Sequence, residues 1–401
     1  MSNMRHITLP KGFSAAGVAC GIKASGNRDI AIIASDAEAA TAIVTTRNQI
    51  VGAPITWCRQ ILPRGYGKSR GMVINAGVSN VCTGKRGLED ARTMAAETAK
   101  RIGAQPEQII VASTGVIGQP LPMGKVKRGI ASAAKALGRR RDSDVAEAIM
   151  TTDTRRKSAI VFTTIGGKKI TIAGIAKGSG MIAPSMATMI SVITTDAAIS
   201  PATLKKALTA GVAGSFNAVT VDSDTSTSDI VAVLASGLAG NENITSSSKH
   251  YRKFAAALAE VCGELARAIA TDGEGATKLI KVEVKGAQND RQAELAAKSV
   301  ANSPLFKCAV HGCDPNWGRI AMALGKSDAK VQADKLSISI GPTRIFHRGT
   351  PTKFNARAVS KYLDSDEVHV TCDLRLAKGR FCALTCDLSR DYITVNADYH
   401  T

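Results

Sequence analysis

Ala176-Lys177-Gly178-Ser179-Gly180-Met181-Ile182-Ala183-Pro184-Ser185-Met186-Ala187-Thr188-Met189 joins one apolar, β-branched run to another, residues 189–195, through a glycine-punctuated approach that reads as flexible. The hydroxyl of Thr188 stands behind the small Ala187, which suggests a peptide bond built to be cut. Once the bond is cut, Thr188 heads a new chain, and its α-amino group, with an ordinary pKa of about 7.7–8.0, lies beside its own hydroxyl. One residue then supplies both nucleophile and base. The same stretch also reads as a Ser/Thr-rich entry to a strand, because short Gly/Ser/Thr runs mark loops.

Working outward, the segments 158–164 and 169–176 are strand-like and flank Gly166-Gly167, the signature of a hairpin whose second arm feeds the quoted stretch. Upstream, the segments 29–34, 42–46, 71–75 and 109–112 have strand character. Leu88, Ala91, Ala95, Ala99 and Ile102 recur at helical spacing before Gly103, and Val126, Ile130, Ala133 and Leu137 do so before Gly138. Downstream, Ser200-Pro201 offers an N-cap and first-turn proline. A longer helix carries Phe254, Leu258, Val261, Leu265 and Ile269, and the segment 278–285 alternates as a half-exposed strand. A helix around 356–363 and strands at 367–374 and 380–388 close the chain. Strands and helices therefore alternate in an α/β chain. Polar turn residues at Ala287-Gln288-Asn289-Asp290 place a boundary between a domain of residues 1–286 and a smaller one of 287–401.

A chain of 401 residues is long enough for two domains with substantial cores. With 4% aromatic residues it has little material for base stacking, which argues against nucleic acid as a partner despite a net charge of +19. The densest basic run, Gly138-Arg139-Arg140-Arg141-Asp142, reads as a solvated loop between helices. A basic surface also attracts small carboxylates. Nine dispersed cysteines fit a reducing compartment rather than a disulfide framework. Cys308, His311 and Cys313 lack the paired spacing of a zinc site. With neither a secretory signal nor a membrane-length apolar run, the expectation is a cytoplasmic protein that has no membrane partner.

An N-terminal threonine needs donors fixed where negative charge develops. Thr114-Gly115, after a strand, offers a hydroxyl and an accessible backbone N–H, though the pair also reads as a turn. Lys177 could hold a substrate carboxylate, and Glu274, between two glycines in Asp272-Gly273-Glu274-Gly275, could receive a substrate ammonium. No dinucleotide fingerprint, phosphate loop, Gly-x-Ser-x-Gly elbow or His-Glu-x-x-His motif is present, so no cofactor is expected. The acidic run Asp222 to Asp229 departs from a calcium loop and reads as a capped turn. Asp314-Pro315-Asn316-Trp317-Gly318-Arg319 either lines an interface or pins a loop.

Together, Ser113-Thr114-Gly115-Val116-Ile117-Gly118, Thr151-Thr152-Asp153-Thr154, Lys177 to Met189, Thr194-Thr195-Asp196-Ala197, Asp272 to Lys278, Asp314 to Ile320 and Asn396-Ala397-Asp398-Tyr399-His400-Thr401 resemble, in order, the ornithine acetyltransferases, also called glutamate N-acetyltransferases. The resemblance covers essentially the whole chain. It implies a layered αββα-type sandwich like that of N-terminal nucleophile hydrolases, with a smaller α+β C-terminal domain, and self-cleavage between Ala187 and Thr188 into two chains that stay together and pair as a heterotetramer. It implies acetyl transfer from N-acetylornithine to glutamate through an acetyl-threonine, in ping-pong order. By the same resemblance Thr114 and Gly115 form the oxyanion site, and Thr151, Lys177, Thr188, Glu274, Asn396 and Thr401 contact substrate. Acetyl-CoA as a second donor, or an aminopeptidase or amidase of the same nucleophile type, are the alternatives. The chain departs from the family's usual residues at Ala76, Ser185, Ser228 and Cys308, none of them assigned to catalysis.

Overall fold

A computed structural model describes residues 6–183 and 189–398. Among these, the strands are β1 Phe13–Val18, β2 Ile30–Thr45, β3 Tyr66–Val78, β4 Ile109–Val116, β5 Lys157–Ile165, β6 Lys168–Lys177, β7 Ile190–Thr195, β8 Ile230–Ala235, β9 Leu279–Ala287, β10 Ser337–Ile340, β11 Thr343–His347, β12 Thr350–Pro351, β13 Glu367–Asp373 and β14 Gly379–Cys386. The helices are α1 Ala53–Ile61, α2 Gly84–Ile102, α3 Met123–Lys135, α4 Asp142–Ala148, α5 Pro201–Ala213, α6 Tyr251–Thr271, α7 Asp290–Ala301, α8 Pro304–His311, α9 Trp317–Gly325, α10 Ala356–Leu363 and α11 Arg390–Asp398.

The hairpin expected at Gly166-Gly167 joins β5 to β6, and both glycines take positive φ, 56° and 75°, as the tight two-residue turn demands. The larger sheet, eight-stranded among the described residues, runs β4-β3-β2-β8-β7-β6-β5, with β1 on β2. Its long strands β2 and β3 make it a sandwich. Their register breaks where Ala34 faces Gly71 but Ala39 faces Ser69, and Asp36, Ala37 and Glu38 bulge into solvent. Before the bulge β2 pairs with β1 and β3; beyond it β2 pairs with β8.

The central strands β7 and β8 are buried at every position and pair in parallel, so they read as continuous apolar runs. From one face Ile190, Val192, Ile230, Ala232 and Leu234 pack into the core of Ile30 to Ile33 and helices α1 to α4. From the other, Ile193, Val231 and Val233 meet Leu204 and Leu208 of α5 and Phe254, Leu258, Val261 and Leu265 of α6. Each fully buried aliphatic side chain contributes roughly 1.5–3 kcal/mol. The α/β sandwich expected from the sequence is thus one sheet folded over on two long strands.

The second sheet runs β12-β11-β10-β13-β9-β14 and packs on α7 and α9. Because β9 pairs with both β13 and β14, it belongs to this sheet, whereas the sequence reading placed it ahead of a boundary at 286–287. The turn at residues 287–290 separates β9 from α7 inside one layer. The N-cap expected at Ser200 takes another form: its hydroxyl meets that of Thr203 at 2.7 Å and caps no backbone N–H.

Candidate active site

Lys177 ends β6 and pairs with Ile190, which opens β7, so the quoted stretch is the connection of an antiparallel strand pair. Expected to be flexible, its described part is clamped. Gly178 N–H donates to Asp153 Oδ1 (2.7 Å), Ser179 Oγ to the Asp272 carbonyl (2.6 Å), and Met181 and Ile182 N–H to the Asp222 carboxyl (2.6 and 2.9 Å). Beyond the gap, Met189 N–H donates to Asp229 Oδ1 at 2.8 Å. The acidic run read as a capped turn therefore holds the described residues on either side of 184–188. Ala187, Thr188 and Ser185 lie outside the described residues.

Under the connection sits a buried ionic group. Lys157 donates to Asp153 Oδ1 (2.6 Å) and to Asp272, and Lys177 Nζ lies 3.8 Å from Asp153 Oδ2; all four residues are buried. Thr154 and Arg155 add donors to Asp272, and Thr151 N–H donates to Asp153 Oδ2 at 3.0 Å. Burial alone would raise the Asp153 carboxyl, but Lys177, Lys157 and the Gly178 N–H overcome it and hold the group down to about 2. Burial pushes the Lys177 ammonium below its ordinary value, opposed by Asp153. Lys177 sits at the head of the segment 178–183.

A depressed carboxyl contributes stability that is complete above its unfolded pKa and is lost as pH falls toward its folded one. For Asp153 the unfolded chain binds more protons between about 4 and 2, so unfolding free energy should drop by about 2 kcal/mol as pH falls through that window. Denaturant titrations across the window check this, with Asp153→Asn expected to flatten the slope.

Glu274 follows α6 and Asn396 sits on α11, so two distant segments must meet. Asn396 Nδ2 donates to Glu274 Oε2 at 2.8 Å, while Glu274 N–H donates to the Ser179 carbonyl at 3.1 Å. Two glycines make room for this. A Cβ on Gly180 would lie 2.1 Å from Glu274 Oε2, and one on Gly275 would lie 2.4 Å from the Tyr392 nitrogen of α11. Residues 178–180 thus touch Asp153, Asp272 and Glu274 in turn, tying the lysine group to the Glu274–Asn396 pair. Thr401 lies outside the described residues.

Thr114 and Gly115 do not form a turn after a strand, as one reading of the sequence allowed; β4 runs through them to Val116. Gly115 faces Gly77 across the ladder, both at positive φ (124° and 108°), and a Cβ on Gly115 would fall 2.3 Å from the Gly77 carbonyl carbon. Beside this contact lies a cavity of about 520 Å³ whose walls include Lys23, Gly77, Val116, Glu147, Thr151 and Asp153. Lys23, which sequence reasoning missed, is half-buried there, and burial pulls its ammonium down to about 8. Among the described residues no hydrogen bond joins Thr114 to the lysine group, and the cavity is walled by Thr151 and Asp153 but not by Thr114, Gly115 or Lys177. Asp153 and Asp272 stood within quoted motifs without a role of their own, Asp222 and Asp229 were read only as part of a capped turn, and Lys157 was not singled out.

Elsewhere, the basic run is exposed, with Arg139 paired to Asp36 and Arg141 to Asp144. His311 Nδ1 meets Asp387 Oδ2 at 2.7 Å, and Cys313 accepts from Lys278 at 3.0 Å. Trp317 stacks on Phe346 with centroids 4.9 Å apart while Asn316 caps α9, so that motif pins a loop. Among the described residues no helix is long and apolar enough to cross a membrane.

The model of the ArgJ family matches residues 14–401. The chain is 47% identical over 400 residues to the arginine biosynthesis bifunctional protein ArgJ of Symbiobacterium thermophilum, with 98% of each chain covered. It is 45% identical over 392 residues to the protein of that name from Geobacter sulfurreducens, covering 98% of this chain and 99% of the relative. Among solved structures, the arginine biosynthesis bifunctional protein ArgJ of Bacillus halodurans aligns with a TM-score of 0.50 at 44% identity, covering 51% of this chain and 97% of its own.

Proposed function

The chain belongs to the ArgJ family, and from that premise we propose that it is an acetyltransferase of arginine biosynthesis that moves acetyl from N-acetylornithine to glutamate after cutting itself at Ala187–Thr188. The observation that carries the reading is identity to ArgJ proteins along the whole chain. In self-cleavage the Thr188 hydroxyl attacks the Ala187 carbonyl, the acyl group shifts from nitrogen to oxygen, and water hydrolyses the ester. The freed amine then serves as base while Thr188 Oγ attacks the acetyl carbonyl of N-acetylornithine; ornithine leaves, and the glutamate amine takes the acetyl from the threonine ester. Thr114 and Gly115 hold the oxyanion of each tetrahedral intermediate. Lys177 and Thr151, both tied to Asp153, contact substrate, Glu274, oriented by Asn396, receives the substrate ammonium, and Thr401 is a further substrate contact.

Two observations support cleavage without dissociation. The bond lies in a strand connection, so a cut leaves the β6–β7 ladder from Ile172–Thr195 to Lys177–Ile190 intact. The solved ArgJ chain from Bacillus halodurans aligns along 97% of its length while covering only 51% of this chain. Intact mass of the purified protein is the test: two fragments dividing at Thr188 are expected, and an uncut chain would refute the mechanism. We place the enzyme in the cytoplasm, with the two fragments staying together and two such pairs associating as a heterotetramer.

Gly180→Ala separates binding from folding. Gly180 has no positive φ, so alanine suits its backbone, and its Cβ meets the movable end of Glu274. The expected result is a nearly unchanged Tm with KM for the amino-acid substrate raised about 10-fold, the loss of about 1.4 kcal/mol of binding. Steady-state kinetics beside a melting curve check it.

The relatives' names call them bifunctional, which favours a second donor, and acetyl-CoA is the candidate. Competition between labelled N-acetylornithine and acetyl-CoA for one acetyl-enzyme decides it: labelling from both donors supports two activities.

A further inference from the structure

Lys23 lies in the loop between β1 and β2, and the structure fixes its ammonium. Nζ donates to the Arg28 carbonyl at 2.5 Å and to the carbonyl of Ala148, which ends α4, at 3.2 Å. Both partners are neutral, and an ammonium has three protons to give. The loop itself is held by the buried Asp29, whose oxygens accept the N–H groups of Cys20, Ile22 and Lys23 at 2.7, 2.6 and 3.2 Å. The stem of Lys23 packs on β3: a Cβ on Gly77 would lie 3.1 Å from Lys23 Cγ, and Gly77 is the residue that faces Gly115 across the ladder. Lys23, Gly77, Val116 and Thr151 wall the cavity of about 520 Å³, ample for an amino-acid side chain. The two carboxylates on that wall already have cations of their own, Asp153 in Lys157 and Lys177, and Glu147 in Arg28 at 2.8 Å. Among the described residues lining the cavity, Lys23 is the single cation. A lysine that merely closed α4 could stay in solvent, where its charge costs little; this one is half-buried, and burial pulls it down to about 8.

We propose that Lys23 sets specificity for the acetyl acceptor, its ammonium taking the side-chain carboxylate of glutamate in the second half-reaction. The proposal rests on the acetyl-transfer reading. That reaction sends two substrates of opposite side-chain charge through one site, since N-acetylornithine ends in an ammonium and glutamate in a carboxylate. Glu274, in the role given to it above, attracts the first and repels the second. The acceptor's side chain therefore needs a place apart from Glu274 where a cation is already held, and that place must border the oxyanion strands. The cavity meets both conditions. Gly77 and Val116 adjoin Gly115, one across the ladder and one along β4, and Lys23 stands on the same wall as Thr151. An ammonium fixed by two carbonyls loses little further freedom when a carboxylate docks, and partial burial strengthens their attraction over its value in water. Glutamine, with an amide in that position, forgoes the charge-assisted bond.

Lys23→Met keeps an unbranched stem and removes the charge. In ping-pong order kcat/KM for each substrate reports its own half-reaction, so the two are read separately. The expected result is a kcat/KM for glutamate lowered roughly 10–100-fold, against a change of under about 3-fold for N-acetylornithine. The preference for glutamate over glutamine should largely vanish, and Lys23→Arg should recover part of it. Equal losses for both substrates would assign Lys23 to the α-carboxylate they share or to the fold, and overturn the proposal, as would an unchanged preference for glutamate. Wild-type protein that transfers no acetyl overturns the acetyl-transfer reading instead. If Lys23→Met fails to fold, labelling of the wild type decides. Reductive methylation near pH 8, read on the Lys23 peptide by mass spectrometry, should be slowed by the product N-acetylglutamate and not by N-acetylglutamine. Equal labelling rates with the two refute the assignment.

Discussion

Thr188→Ala should leave one uncut chain and abolish acetyl transfer, with kcat down on the order of 10⁴-fold or more. Under the proposed mechanism both losses come from one atom, because the same Oγ would open the chain and later carry the acetyl group. Intact mass reads the first loss, and transfer of labelled acetyl from N-acetylornithine to glutamate reads the second. The pairing matters. A variant still cut at residue 188 would mean that another group attacks the Ala187 carbonyl, and a variant uncut but active would mean that the free amine is not the base. In the wild type, N-acetylornithine without glutamate should leave one acetyl group on the fragment that begins with Thr188, as ping-pong order requires.

The second large effect falls on stability. Asp153→Asn should cost about 3–5 kcal/mol, because it removes one partner from a buried ion pair and leaves cations behind. Lys157 retains Asp272, whereas Lys177 loses the carboxylate 3.8 Å away that compensates its burial. The Gly178 and Thr151 N–H donors suffer as well, since they bond to different oxygens of Asp153 and in asparagine one would meet a neutral carbonyl and the other an amide NH2 that cannot accept. Equilibrium unfolding in denaturant measures the cost, and a loss below about 1 kcal/mol would show that water reaches the group. The exposed Arg139–Asp36 pair is the control: at 53% and 54% side-chain exposure its loss should change stability by under about 1 kcal/mol.

How far these features could be read from sequence depends on the distance over which each is decided. The β5–β6 hairpin was legible because two glycines at a tight turn are a local necessity, and α2 and α6 because apolar residues at helical spacing declare a buried face whatever they pack against. The short helices α8 and α9 and strands β10 to β12 were not singled out; their few apolar positions make no period of their own and gain stability from the core they join. Thr151 and Asn396 were named only through resemblance to a family, whereas Thr114-Gly115, Lys177 and Glu274 were also candidates from their strand-end or glycine-flanked settings. Those settings alone read equally as loop or strand.

The sequence by itself determined the alternation of strands and helices, the hairpin that delivers Lys177, and an ordered set of motifs specific enough to identify the family. These follow from backbone preferences and from residue order along the chain. Only the tertiary structure decided that β9 belongs with the C-terminal sheet, that residues 178–182 are clamped rather than loose, and that Asp153, Lys157, Lys177 and Asp272 share one buried group. Within the buried group, hydrogen-bond partners lie far apart in sequence, 118 residues in the case of Thr154 and Asp272. A charge read in one dimension carries no record of what will face it. Burial then sets its protonation and energy, and burial is a property of the folded chain.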